Sequence, residues 1–389
     1  MERIKTILIT IESPGFNLNN RYSAVAAVIS SFAGMLQEQG YKILVNGQPL
    51  EEAAKQQHSS IPSSTGKKNI YRFFPKRVRE MIKDLLLFKR LKRLNQQLDS
   101  CERPDLIIAW ISYAGSHSAL LAQKWNIPLV SIYDNPVSEE YKYLFKFYPF
   151  FRKKIKRAES EMVKAANALI VYSRAVEEHV KKEYGVTTRC YYKAFTDFKR
   201  MSYKQYNRPT NEIRFAYIGS FFNWHKIEDL IDAFVSLKNE GSGGKLVLIG
   251  DGPEYERMKK LATDSGYGHA IEFTGRCDSS ELENRIAEIH VGIIPNALFW
   301  QGPVKLFQYS AAQMPVICKA TPTIVELTQK NKGYLYFDTK QELKLQMKYI
   351  LENPAKAKEL GLETQEFAKK HFSEKAYADF FSKIFAELE

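Results

Sequence analysis

Four short segments place glycine, proline and a cation where an extended apolar run gives way to a helical one. Gly219-Ser220 follows the run 213–218 and leads into His225-Lys226. Gly250-Asp251-Gly252-Pro253 follows 245–249, and Pro295-Asn296 follows 291–294. Gly302-Pro303-Val304-Lys305 then opens another helical run. A helix start offers unpaired amides and a partial positive charge, and proline suits its first turn. The chemistry that fits is the binding of a diphosphate, with His225, Lys226 and Lys305 as the available cations. Taken singly, each glycine also reads as an ordinary strand-to-helix turn.

The elements that must position these groups follow one rhythm. Strands are predicted at 4–11, 41–45, 105–110 and 128–132, separated by helical patterns near 23–39, 77–97 and 115–125. A polar stretch at 200–212 containing Pro209 reads as a linker. Beyond it, strands at 213–218, 245–249, 271–273 and 291–294 alternate with helices at 227–238, 254–265, 279–288 and 304–313. Strands separated by helices imply parallel βαβ units, so the expected fold is α/β, with two Rossmann-like doubly wound domains. Open parallel sheets bind ligands at the carboxyl ends of their strands, where the four segments lie.

The chain has 389 residues, 44% hydrophobic and 26% charged, which suits two globular domains with large cores. Cys101, Cys190, Cys277 and Cys318 stand far apart, with no CxxC pair, so neither a zinc site nor a disulfide framework is signalled. The first apolar run is too short for a signal peptide or a spanning helix, and a cytoplasmic location is expected. A formal net charge of +13 points to polyanionic partners.

Two segments concentrate that charge. Residues 76–93 carry eight Lys and Arg, among them Lys89, Arg90, Lys92 and Arg93, against two acids. Residues 141–157 hold seven aromatic residues, seven cations and no acid, including Phe147, Phe150, Phe151, Arg152, Lys153 and Lys154. Rings at headgroup depth and cations on anionic lipid suit a bilayer interface. The plainer reading of each is a helix with its apolar side in the core and its charges in water. No nucleic-acid-binding signature is present, and no nucleic acid partner is expected.

The order Gly219-Ser-Phe…Trp-His225, Ile249-Gly-Asp-Gly-Pro-Glu254, Phe273-Thr-Gly-Arg276 and Pro303-Val-Lys-Leu-Phe-Gln-Tyr-Ser-Ala-Ala-Gln-Met-Pro-Val316 resembles the donor-binding domain of family 4, group 1 glycosyltransferases. The resemblance is close over roughly 210–370 and holds only in outline over 1–200. It implies the two-lobed GT-B architecture with a cleft between the domains. It implies metal-independent sugar transfer from a nucleotide diphosphate, UDP or GDP, with retained anomeric configuration. No cofactor is expected, and the absence of an Asp-x-Asp motif agrees with that. It assigns Gly219, Ser220, His225, Gly250, Gly252, Arg276, Cys277, Asn296, Pro303, Val304 and Gln308 to donor binding. Asp134, Lys226 and Lys305 are the expected catalytic residues. Either His225 or Lys226 would supply the cation beside the phosphates.

The departures are specific. Two glutamates that such enzymes usually keep eight positions apart are here Trp300 and Gln308. Gln308 can still hydrogen-bond a ribose diol, without charge assistance. Trp300 cannot replace a carboxylate. Ser220 stands where arginine is common, Lys226 and Gln313 where glycine is usual, and Tyr133 where histidine precedes the aspartate. The loop at 13–22, with Asn19-Asn20 in place of a glycine pair, is expected to face the diphosphate. The expected division is 1–203 for acceptor binding, 204–373 for the nucleotide sugar, and a helix at 374–389 returning to the first domain. The expected function is transfer to a lipid-linked or polysaccharide acceptor, by a protein held peripherally on the inner membrane face. A GT-B protein that binds without turnover and a nucleotide-sugar epimerase are the alternatives.

Overall fold

The computed structural model describes residues 4–13, 16–20, 23–55, 76–112, 115–144, 149–199, 201, 203, 208 and 211–389. They form two compact units: 1–193 together with 378–389, and 194–377.

The first unit holds β1 (Thr6–Ile11), β2 (Lys42–Val45), β3 (Gln48–Pro49), β4 (Leu106–Trp110), β5 (Leu129–Tyr133), β6 (Ala168–Val171) and β7 (Cys190–Tyr192). Their order across the sheet is β3-β2-β1-β4-β5-β6-β7, parallel except where β3 turns back on β2. Its helices are α1 (Ala24–Glu38), α2 (Leu50–Ala53), α3 (Lys76–Asp99), α4 (His117–Trp125), α5 (Val137–Leu144), α6 (Pro149–Ala165) and α7 (Arg174–Tyr184). Strands β1, β4, β5 and β6 are almost wholly buried, as a parallel sheet covered on both faces requires.

The second unit repeats the plan with β8 (Arg214–Ile218), β9 (Lys245–Ile249), β10 (Ile271–Gly275), β11 (Val291–Ile294), β12 (Val316–Lys319) and β13 (Tyr334–Phe337). The order is β10-β9-β8-β11-β12-β13, all parallel, so the winding reverses between β8 and β11. Helices α8 (Ile227–Asn239), α9 (Tyr255–Asp264), α10 (Ser279–Ile286), α11 (Val304–Ala311), α12 (Pro322–Thr328), α13 (Lys340–Glu352) and α14 (Pro354–Phe372) follow. The core gathers Phe215, Leu248 and Ile293 from the sheet with Phe234, Met258 and Met347 from the helices. Gly292 is required within it. A Cβ there would sit 2.3 Å from the Tyr309 ring, whose hydroxyl accepts from Ile218 N at 2.8 Å and so ties α11 to β8.

The units divide between 193 and 194, six residues before the polar stretch read as a linker and ten before the expected boundary at 203. Phe195 and Phe198 pack on Tyr377 at ring separations of 5.9 and 5.1 Å, and the Tyr377 hydroxyl donates to Ala194 O at 2.6 Å. These contacts bind 194–198 to the second unit. The last helix, α15 (Glu374–Leu388), contributes its residues from 378 onward to the first unit. There Phe381 lies 4.6 Å from Phe32, and Phe385 lies 5.6 Å from Tyr41. Truncating the fully buried Phe381 to alanine will cost roughly 3–5 kcal/mol of the first unit's stability. Calorimetry should show one unfolding transition lowered and the other in place; an unshifted pair would contradict this packing.

Candidate active site

The carboxyl ends of β8, β9 and β11 lie side by side around the point where the second sheet reverses direction. Loops meet there at van der Waals limits. Gly219 N donates to Ile249 O at 2.9 Å, and Gly250 N donates to Gly275 O at 2.9 Å. Gly250 has φ +134°, and a Cβ on it would fall 2.0 Å from Gly219 O. A Cβ on Gly252 would fall 2.6 Å from Phe221 N. Gly250 and Gly252 thus serve first to let one loop lie on the next.

Gly219 does something different. A Cβ there would fall 2.8 Å from the Lys305 Nζ. The missing side chain is the space that the lysine head occupies. Lys305 is 8% exposed, and its ammonium sits 4.1 Å from the centre of the Tyr217 ring. The Tyr217 hydroxyl is engaged elsewhere, donating to Ser220 O at 2.8 Å. Among the described residues Lys305 has no carboxylate or carbonyl partner. Burial lowers its pKa to about 7.

His225 stands next to this cation. Its ring lies 5.9 Å from that of Tyr217, and its Nδ1 is enclosed without a hydrogen-bond partner. Burial, and then the nearby Lys305 charge, push its pKa down to about 3. His225 is therefore a neutral hydrogen-bonding group at physiological pH. Lys226 points away from the pair. It is exposed, with its Nζ 3.8 Å from Glu228. Its φ of +52° explains why glycine would suit that position.

Helix starts divide into two kinds. Those after β10, β12 and β13 are closed by side chains: Asp278 accepts from Glu281 N, Thr321 from Ile324 N, and Thr339 from Glu342 N. Those after β8, β9 and β11 begin α8, α9 and α11 without any side-chain cap. The three uncapped starts border the reversal point, where the amides remain available to an anion. Pro303 immediately precedes α11, so Val304 and Lys305 supply its first amides.

The remaining groups fall around this centre. Asn296 donates from Nδ2 to Trp224 O at 2.6 Å, which holds the loop that carries His225. Gln308 is half-buried one turn into α11, Arg276 is exposed, and Cys277 is half-buried with its Sγ 3.6 Å from Thr274 Oγ1. Trp300 is 3% exposed, edge-on to Phe299 at 4.8 Å. The four cysteines are free, and only Cys318 is fully buried.

In the first unit, Asp134 follows β5. Its carboxyl is enclosed by protein although the residue keeps some exposed surface, and burial followed by the charge of Glu140 raises its pKa to about 7. Asn135 hydrogen-bonds Glu140, whose own pKa is raised by burial. Sequence reasoning missed two buried glutamates here. Glu12, at the end of β1, accepts from His117 N at 2.8 Å and Ser118 N at 2.7 Å, closing the start of α4. Glu159 accepts from Ser138 N at 3.1 Å and from the Tyr184 hydroxyl at 2.9 Å, closing α5. Their signal was a lone carboxylate at a strand end and one inside a helix, and neither is distinctive. Within the 13–22 loop, Asn19 N donates to Asn17 Oδ1 at 2.8 Å.

The basic segments meet. Lys154 of α6 places its Nζ 3.7 Å from the centre of the Phe88 ring on α3. Lys89, Arg90, Lys92, Arg93, Lys153 and Lys154 are exposed, and Arg152 pairs with Glu139 at 3.3 Å. The apolar side chains of α3 do not all face the core: Leu85 is 57% exposed, whereas Leu91 and Leu98 are buried. Phe147 lies outside the described residues, as do the side chains of Phe150 and Phe151. Among the described residues no helix is long and apolar enough to cross a membrane.

Two family profiles match: "Glycosyl transferases group 1" over residues 199–367 and "Glycosyltransferase Family 4" over 25–191. A GDP-mannose-dependent alpha-(1-6)-phosphatidylinositol monomannoside mannosyltransferase of Mycobacterium tuberculosis is 31% identical over 117 residues, covering 28% of this chain and 30% of that protein. Alpha-monoglucosyldiacylglycerol synthase of Acholeplasma laidlawii is 23% identical over 164 residues, 42% of this chain and 40% of that protein. The chain thus spans less than half the length of these curated relatives. Among solved structures, sucrose-phosphate synthase of Thermosynechococcus elongatus superposes with a TM-score of 0.70 at 15% identity, over 99% of both chains. Anabaena HepE in complex with UDP-glucose gives 0.66 at 14%, over 98% of this chain and 99% of that one. These likenesses establish the shared two-domain GT-B fold.

Replacing Lys305 by methionine should stabilise the ligand-free protein, because an apolar side chain of similar volume removes the cost of burying an unpaired ammonium. The folded pKa of about 7 lies below the ordinary 10.5. The cost of burying the ammonium is therefore full below pH 7 and is relieved as pH rises towards 10.5. The gain in melting temperature should be largest near pH 6 and shrink by pH 9. A methionine variant that melts lower than the parent at pH 6 would contradict the burial of an unpaired cation.

Proposed function

The chain belongs to the group 1, family 4 glycosyltransferases, and from that premise we propose that it transfers a sugar from a nucleoside diphosphate to a lipid-linked acceptor at a membrane surface. The observation that carries the donor side is Lys305: a buried ammonium without an anionic partner, beside helix starts whose amides are uncapped. A diphosphate supplies the missing charge.

In the proposed reaction the bond between the anomeric carbon and the leaving phosphate oxygen breaks. The acceptor hydroxyl forms the new bond to that carbon, with configuration retained, and its proton passes to the phosphate. Negative charge grows on the leaving phosphate. Lys305 and the amides of Val304 and Lys305 stabilise it, in a site where low polarity strengthens the effect. His225 donates or accepts a hydrogen bond as a neutral ring, and Gln308 takes the ribose hydroxyls. Asp134, whose carboxyl titrates near neutrality, is proposed to hold the acceptor hydroxyl. The exposed basic surface of α3 and α6 is proposed to rest on anionic lipid, each cation contributing about 1 kcal/mol at most. The similarity to a phosphatidylinositol monomannoside mannosyltransferase and to a monoglucosyldiacylglycerol synthase supports that choice.

A panel of UDP-, GDP-, ADP- and CMP-sugars, with and without a lipid extract, tests the reading through release of free nucleotide. Acceptor-dependent release with one donor is expected, at least a hundredfold slower after Lys305→Ala. Tight binding without release would indicate a binding protein, and donor epimerisation without acceptor an epimerase. No binding of any nucleotide would sink the donor assignment.

Donor binding should also carry a proton. A phosphate beside Lys305 favours the ammonium, so nucleotide affinity should be flat below pH 7. It should weaken up to tenfold per unit as pH rises beyond 7, until the pKa of the complex is reached. Calorimetry in buffers of different ionisation enthalpy should show up to one proton taken up at pH 8 and little at pH 6. Uptake unchanged in Lys305→Met would assign the proton elsewhere. Binding to vesicles rich in anionic lipid should fall with salt and with charge-removing substitutions at Lys89, Arg90, Lys92 and Arg93.

A further inference from the structure

Helix α11 presents the amides and the lysine of the donor site at one end, and its other end is held from outside. Arg208 lies in the polar stretch before β8. Its Nη2 donates to Ala312 O at 2.8 Å and to Ile286 O at 3.2 Å, and its Nη1 donates to Gln313 O at 3.3 Å. Ala312 and Gln313 are the residues at which α11 ends, and Gln313 takes a φ of +57° to turn away. Ile286 is the last residue of α10. One guanidinium therefore closes two helix C-termini, where the dipole favours a cation and the carbonyls lack intrahelical donors.

We infer that Arg208 is a positioning residue for donor binding, acting through α11; the inference rests on the reading of Lys305 and the α11 start as the diphosphate site. Helix α11 has eight residues, little more than two turns, and a helix that short depends on tertiary contacts for its shape and direction. Its sides pack through Leu306, Phe307 and Tyr309. Its axial position is set at the C-terminus by Arg208 and by Gln365, whose Nε2 donates to Ala311 O at 2.8 Å. A shift along or about that axis moves Val304 N, Lys305 N and the Lys305 head together, because all three stand on the first turn. Lysine cannot replace Arg208, since one ammonium does not match three carbonyls spread over a planar fork.

The test compares Arg208→Ala, Arg208→Lys and, as a control for general loss of stability, Phe234→Leu in the same unit's core. Hydrogen exchange of peptides covering 304–313 is measured on the ligand-free full chain, and dissociation constants for UDP and GDP by calorimetry at 15 °C. The expected result is faster exchange confined to α11 and the end of α10 in both arginine variants. Affinity for whichever nucleotide the parent binds should fall roughly tenfold or more in Arg208→Ala, in line with the cost of small misplacements at a site. Millimolar guanidinium should restore part of it. Phe234→Leu should lower the melting temperature with the dissociation constant unchanged. Wild-type affinity in Arg208→Ala, or unaltered exchange in 304–313, would overturn the inference. If the parent chain binds neither nucleotide, the donor-site reading fails, and the exchange measurement still decides whether Arg208 holds α11.

Discussion

The second unit is organised around one buried charge. Lys305 can lie over Tyr217 only because position 219 has no side chain, and its head is fixed in a place where water can barely solvate it. Such a group is destabilising by itself, which is why its pKa falls. Its neighbours deepen the asymmetry. Burial and the Lys305 charge hold His225 neutral, and no carboxylate among the described residues reaches Lys305. The structure thus stores a deficit of negative charge at one point, and an anion placed there recovers interaction energy that folding alone cannot.

The two units share a winding pattern but treat their helix starts differently. In the first, Ser23 closes α1, Glu12 closes α4, Glu159 closes α5 and Ser173 closes α7. Two of those four caps are buried carboxylates, which occupy the amides and repel further anions. In the second, the starts next to the reversal between β8 and β11 are uncapped. The same supersecondary unit is neutralised internally in one unit and has open amides in the other. Fold likeness alone would not reveal that division of labour; it comes from single residues at strand ends.

Much of this was legible in the chain. Eight strands and the helices that bear the site follow from apolar runs and their punctuation, because a buried parallel strand and an amphipathic helix leave strong periodic signals. Strands β6, β7, β12 and β13, each only three or four residues long, were not read out, and the two-residue β3 has no signal at all. The loops around the reversal point were visible as glycine and proline spacing, but their individual tasks were not. That Gly219 makes room for Lys305, while Gly250 and Gly252 make room for neighbouring backbone, depends on contacts between loops far apart in sequence. The choice between His225 and Lys226 was undecidable for the same reason. Charge type favoured the lysine, yet burial makes His225 neutral and a left-handed backbone turns Lys226 towards Glu228.

The departures at Trp300 and Gln308 acquire a common meaning in this setting. A carboxylate near Lys305 would pair with it, raise its pKa and leave less positive potential for a phosphate. With an indole at 300 and an amide at 308, the described residues of the 295–308 segment carry no negative charge, and Lys305 keeps its full demand for an anion. Neutral hydrogen-bonding groups are left: Asn296, which holds the His225 loop, the ring of His225 itself, and Gln308. A site built this way would hold an anion through one cation and would meet the uncharged part of a ligand through neutral hydrogen bonds. In the same segment Phe299 lies at the surface and Trp300 is buried edge-on to it. With no carboxylate at either position, attraction for an anion falls to Lys305 and to the uncapped amides at the start of α11.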